Sequence, residues 1–254
     1  MDLETYVRER LKKKDILIMT HIVVGYPSYE ECFDLVEAMV DAGVDLMELQ
    51  IPFSEPIADG PVILRANQSA LERGVTVRSC LDFAGEMAHT FDIPFLTMTY
   101  YNIVYKYGVP NFVSTLKTKG LKGAIVADLP PEEGEEYFSL MKENDLSPIV
   151  LFSPTTSFDR MKYLSGFGRG FVYCVARKGV TGAKTEFSED LLQYLSLCRK
   201  ATELPLALGF GIKEKRDVDF LKKKVEIAVI GTQSLRILEK DGISGVREFL
   251  RSLR

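Results

Sequence analysis

Two carboxylates stand out by position. Glu48 lies inside an apolar run, between Met47 and Leu49, and Asp59 follows eleven residues later in a loop bounded by Gly60 and Pro61. An ionised, unpaired carboxylate in such a run carries a heavy desolvation cost. Glu48 is therefore either half of a structural ion pair or a group held for acid–base work. Asp59 can return to the same mouth, and two carboxylates in different surroundings can divide acid and base roles.

Three later segments suit an anion. The stretch Tyr173 to Thr185 holds two glycines, two threonines and three cations, among them Thr181 and Gly182. It reads either as a solvated surface loop or as a lid over a phosphate-bearing ligand. Gly209-Phe210-Gly211 and Gly231-Thr232 each follow an apolar run. Backbone N–H groups of glycine loops and a helix N-terminus can cradle a phosphate, and late barrel loops commonly do so. No dinucleotide fingerprint or Walker loop occurs.

Something must hold these segments in one place. Eight short apolar runs recur along the chain: Ile16–Val24, Leu46–Ile51, Pro94–Tyr100, Gly123–Ala127, Pro148–Phe152, Gly170–Val175, Leu204–Leu208 and Ile227–Ile230. Several are continuous rather than alternating, as in parallel strands buried on both faces. Between them lie segments of helical periodicity: Tyr29–Ala42, Val77–Thr90, Asn111–Lys119, Glu132–Asn144, Ser188–Thr202 and Ile243–Arg254. This alternation suggests an α/β fold, a single (β/α)8 TIM barrel over residues 1–254 with an extra N-terminal helix near Leu3–Lys12. A doubly wound sheet would alternate in the same way. Ser28 with Glu31 reads as a helix start, as does Pro130-Pro131-Glu132-Glu133, and Gly43, Gly74 and Gly120 read as helix ends. In a barrel, the residues that follow each strand build the active site.

Composition narrows the function. The chain has 254 residues, 46% hydrophobic and 27% charged, with a net charge of −4 that argues against general nucleic-acid or anionic-membrane binding. The four cysteines, Cys32, Cys80, Cys174 and Cys198, have no CxxC spacing, and His21 and His89 are the two histidines. Neither a structural zinc site nor a disulfide framework is suggested. No apolar run approaches membrane-spanning length and no signal core opens the chain, so a cytoplasmic location is expected.

The block Glu48-Leu49-Gln50-Ile51-Pro52-Phe53-Ser54-Glu55-Pro56-Ile57-Ala58-Asp59-Gly60-Pro61 resembles the signature of the tryptophan synthase alpha subunit family, ELGIPFSDPxADGP. Further matches follow in order: Met98 to Asn102, Ile125 to Glu133, Ser153 to Thr156, Arg177 to Gly182, and Gly209 to Ile212. The resemblance implies a (β/α)8 lyase of tryptophan biosynthesis that cleaves indole-3-glycerol phosphate to indole and glyceraldehyde 3-phosphate. It implies no cofactor in this chain and an alpha2-beta2 assembly with a beta subunit that carries pyridoxal phosphate.

By resemblance Glu48 is the acid–base group and Asp59 accepts a hydrogen bond from the indole N–H. Tyr173 stands where a tyrosine positions Glu48. Gly182, Gly211, Gly231 and Thr232 match the phosphate cradle, Thr181 the lid residue that closes onto Asp59, and Phe210, Tyr100 and Ala127 positions around the indole. Ordinary barrel packing is an alternative for Phe210 and Tyr100. Four positions depart from the family pattern: Gln50 replaces glycine, Glu55 replaces aspartate, Thr232 stands for serine, and His21 ends the first strand where an apolar residue is usual. His21 reads either as a hydrogen-bonded structural histidine or as a titrating group in the pocket. An apolar docking patch is expected around Pro52, Phe53 and Pro56. The competing functions are a diverged phosphate-binding barrel, such as a sugar-phosphate isomerase, and a non-catalytic regulatory subunit of the beta chain.

Overall fold

The computed structural model describes residues 1–176, 189–209 and 211–254. Eight parallel strands close on themselves in sequence order: β1 (Leu17–Val23), β2 (Leu46–Gln50), β3 (Phe95–Thr99), β4 (Gly123–Val126), β5 (Ser147–Phe152), β6 (Val172–Val175), β7 (Leu206–Gly209) and β8 (Ile227–Ile230). Each of the eight lies within one to two residues of an expected run, and β8 pairs back onto β1, which excludes the doubly wound alternative. The fold is a (β/α)8 TIM barrel.

Closure explains the continuous apolar runs, because each strand buries both faces. In β1, Leu17 and Met19 point inward, while Ile18 and Ile22 pack outward against the helices. Inside, Leu46, Leu96, Met98, Ile125, Ile149, Ala207, Ile227 and Val229 fill the barrel. The N-terminal helix, Leu3–Leu11, inserts Leu3 and Val7 into that core and stoppers the lower end. Asp45, fully buried there, receives a hydrogen bond from Ile18 N (3.0 Å) and ion pairs from Arg10 (3.0 Å) and Lys14.

Local signals account for most element ends. Ser28 Oγ caps Tyr29–Asp41 by accepting from Glu31 N at 3.1 Å. Gly43, Gly74 and Gly120 have φ of +90°, +80° and +77°, the left-handed turn that closes a helix. Expected Glu132–Asn144 divides into a short 3-10 turn, Pro131–Glu133, and a helix, Glu135–Glu143. The break falls at Gly134, where Leu129 and Phe138 pack so closely that a side chain would have no room. Of the further helices, Pro61–Glu72 was marked only by its end at Gly74, and Tyr101–Tyr107, Phe158–Ser165 and Lys215–Leu221 had no signal in the periodicity. Thr232–Asp241 extends the last expected helix backwards, with a break at Gly242 (φ +68°).

Candidate active site

The period of two that directs Leu17 and Met19 inward places His21 inward at the upper end of β1. In β2 it does the same for Leu46, Glu48 and Gln50. Strand register sets His21 directly beside Glu48, and Val23 beside Gln50. His21 and Glu48 are 4% and 3% exposed, and Nδ1 of one lies 2.9 Å from Oε1 of the other. Glu48 is thus paired, which answers the desolvation objection to a carboxylate in an apolar strand. Its second oxygen, Oε2, is buried without a hydrogen-bond partner.

Asp59 arrives from the loop between β2 and the helix Pro61–Glu72, and is 8% exposed. Gln50 Nε2 donates to Asp59 Oδ2 at 2.6 Å. The loop is held from two further sides. Ala58 N donates to the Tyr100 hydroxyl (3.2 Å), and Phe53 N donates to Asn67 Oδ1 (2.9 Å). Tyr100, just past β3, stacks on Phe53 with centroids 5.2 Å apart. Both carboxylates therefore meet at one mouth, as expected.

Electrostatics at this mouth follow from burial among carboxylates. Burial disfavours charge on His21, but the Glu48 hydrogen bond and charge, then the Asp59 charge, outweigh it and raise its pKa above 6.5. Burial, then Glu48 and Asp59, push the Tyr173 hydroxyl well above 10, so it stays protonated and can donate. Tyr100 is raised too, first by burial and then by Asp59.

Tyr173 is on β6 and faces inward over Gly209 of β7. A Cβ added at Gly209 would lie 3.0 Å from the tyrosine hydroxyl, so the glycine makes room for that ring. Ala127 follows β4 and, like Phe53, Ala58, Leu151 and Tyr173, packs against the barrel's inner core. Gly231 is the N-cap of the helix that Thr232 begins, and Gly211 has φ +69°, a backbone that favours glycine. These two loops leave β7 and β8 at the same end of the barrel as Glu48. Phe210, Thr181 and Gly182 lie outside the described residues.

One expectation changes. The apolar patch around Pro52, Phe53 and Pro56 does not form a broad exposed face: Pro52 is buried, Phe53 and Pro56 are half-buried, and Phe53 is occupied by its stack on Tyr100. Ile57, 73% exposed, is the apolar side chain that projects from this loop. His21 is hydrogen-bonded, one of the two readings the sequence offered, and it and Gln50, marked only as a departure, each hydrogen-bond a candidate catalytic carboxylate. Their inward alternation was readable, but which side chain each would meet depends on register and loop path. All four cysteines are free and buried. Among the described residues, no group of three or more His, Cys, Asp or Glu could hold a metal ion, and no helix is long and apolar enough to cross a membrane.

The geometry has close relatives. The family model for the tryptophan synthase alpha chain matches residues 7–251. The tryptophan synthase alpha chain of Desulforapulum autotrophicum is 59% identical over 251 residues, covering 99% of each chain. That of Syntrophotalea carbinolica is 56% identical over 252 residues, covering 99% of this chain and 100% of its own. Among solved structures, Mycobacterium tuberculosis tryptophan synthase superposes with a TM-score of 0.93 at 27% identity, covering 99% of this chain and 96% of that one. A tryptophan synthase complex from Pyrococcus furiosus gives 0.85 at 26% identity, covering 93% and 97%. The chain belongs to the tryptophan synthase alpha chain family.

Proposed function

We propose that Glu48 and Asp59 divide the chemistry of the family's lyase reaction, the cleavage of indole-3-glycerol phosphate to indole and glyceraldehyde 3-phosphate. The observation that carries this reading is the convergence of two buried carboxylates at the upper end of one barrel, with Glu48 Oε2 unpartnered. Glu48 gives a proton to indole C3, which makes the ring an iminium. It then takes the proton of the glycerol hydroxyl as the carbon–carbon bond breaks, the bonding pair returns to the ring, and an aldehyde forms. One carboxyl serves both transfers and ends as it began. Asp59 accepts a hydrogen bond from the indole N–H and offsets the ring's transient positive charge, most effectively in a dry pocket.

Around this pair Tyr173 orients Glu48, while Tyr100, Ala127 and Phe210 border the indole. Gly182, Gly211, Gly231 and Thr232 hold the phosphate, and Thr181 closes the site onto Asp59. The helix N-terminus at Thr232 offers free N–H groups to an anion. The 254 residues act as one barrel domain in the cytoplasm. Proton transfer is the chemistry asked of this chain, and its carboxylates supply it without a cofactor. Pyridoxal phosphate belongs to a beta subunit that receives the indole in an alpha2-beta2 assembly; tryptophan synthase complexes among the structural neighbours support that partner.

The test is indole release from indole-3-glycerol phosphate by the purified chain, with and without a beta subunit. Glu48→Gln keeps the shape of the side chain and removes the proton carrier, so release should be abolished while the fold persists. Near-native turnover by that variant would remove Glu48 from the role. No release by the folded wild-type chain in either condition would leave the family fold without its reaction.

A further inference from the structure

We propose that His21 is a positioning residue for the lyase reaction, holding Glu48 through Oε1 so that Oε2 is the oxygen that moves the proton; this rests on the role of Glu48 argued above. The register makes the contact obligatory: His21 and Glu48 are cross-strand partners, both inward, at 2.9 Å. Both are almost wholly buried, so the pair is shielded from water and worth more than a surface contact. With Oε1 occupied by Nδ1, Oε2 is the carboxylate oxygen left without a hydrogen-bond partner. Gly231, at the end of β8, lies beside the His21 side chain.

The same contact acts on the imidazole: burial works against its charge, but the Glu48 hydrogen bond and charge outweigh it, so His21 holds its proton more tightly than a free imidazole. The groups that face His21 are Glu48 from β2 and Asp59 from the following loop, with the backbone of Gly231 approaching from the end of β8. Tyr173 from β6 faces the same two carboxylates. Gln50, on β2 two residues beyond Glu48, also favours the imidazolium and donates to Asp59, which ties the two carboxylates into one network. Two of the four departures from the family pattern, His21 and Gln50, thus act on the same site, one on each carboxylate.

Three variants separate positioning from packing. His21→Phe fills the space without a donor and should lower kcat by roughly 10- to 100-fold with KM little changed. His21→Asn places an amide N–H near the Nδ1 position and should recover most of that kcat. In both variants the basic limb of the pH profile should move to lower pH, because the imidazole whose pKa is raised is gone. The third readout needs no turnover. His21 and His89 are the two histidines, so imidazole titration by NMR is readily assigned, and Glu48→Gln should lower the His21 pKa and leave His89 in place. His21→Phe with wild-type kcat and an unmoved limb would overturn the inference alone, as would a His21 titration unchanged in Glu48→Gln. A folded wild-type chain that releases no indole would instead overturn the reaction, and this role with it.

Discussion

Gln50 Nε2 and Asp59 Oδ2 are 2.6 Å apart, so the last residue of β2 grips the loop that β2 itself launches. The contact is buried at both ends. It fixes Asp59 from inside the barrel, where the Tyr100 and Asn67 bonds fix the neighbouring backbone of Ala58 and Phe53.

Gln50→Leu keeps the volume and removes the donor, leaving a buried carboxylate oxygen short of a partner. The expected loss is about tenfold in kcat/KM for indole release, equivalent to about 1.4 kcal/mol. Steady-state kinetics of the variant checks this; an unchanged kcat/KM would show that the other two anchors suffice to place Asp59.

The lower end of the barrel is a separate matter. Asp45 draws Arg10, Lys14 and Arg254 together and caps Ile18 N, far from the strand ends that carry the chemistry. Asp45→Asn removes the charge but keeps an acceptor for Ile18. Because the cations are partly exposed, the expected loss is about 2–3 kcal/mol of unfolding free energy. Urea unfolding would measure it, and KM for indole-3-glycerol phosphate should not move.

Much of this was legible in the residues. The eight runs were readable because closure buries both faces of each strand, which leaves a continuous apolar signature. The positions of Glu48 and Asp59 drew attention, one in an apolar strand and one in the loop after it, but their separate roles came from the family resemblance and not from the pattern. The pairing of His21 with Glu48 was not, since the residues are 27 apart and meet through register. Helices such as Tyr101–Tyr107 and Lys215–Leu221 are two turns long, too short for periodicity to separate them from loops. The split at Gly134 falls within one continuous run of helical periodicity, which does not mark the change from a 3-10 turn to an α-helix.

Gly123 opens β4 beside Ser147, its register partner on β5. A Cβ at this position would fall on the Ser147 carbonyl oxygen, well inside van der Waals contact, and that nearest obstacle is backbone. No rotamer can relieve it, so the β4–β5 pairing must open. Gly123→Ala should cost about 3 kcal/mol or more, beyond ordinary overpacking. Thermal unfolding would show a large drop in Tm; a near-native Tm would mean that the strands can separate without loss.

The buried His21–Glu48 pair also makes stability depend on pH. His21 has a folded pKa raised above its ordinary 6.5: burial works against the charge, and Glu48 and then Asp59 more than offset it. The folded state therefore binds the imidazole proton more tightly than the unfolded chain does. That contribution is fully present below pH 6.5 and is lost as pH rises through the folded value. His21→Phe removes the group, so the stability difference between wild type and variant should shrink across that window and be flat below it. Urea midpoints for both proteins at a series of pH values would trace the difference. A difference that grows with pH would mean that burial prevails and that the native pair carries a neutral imidazole.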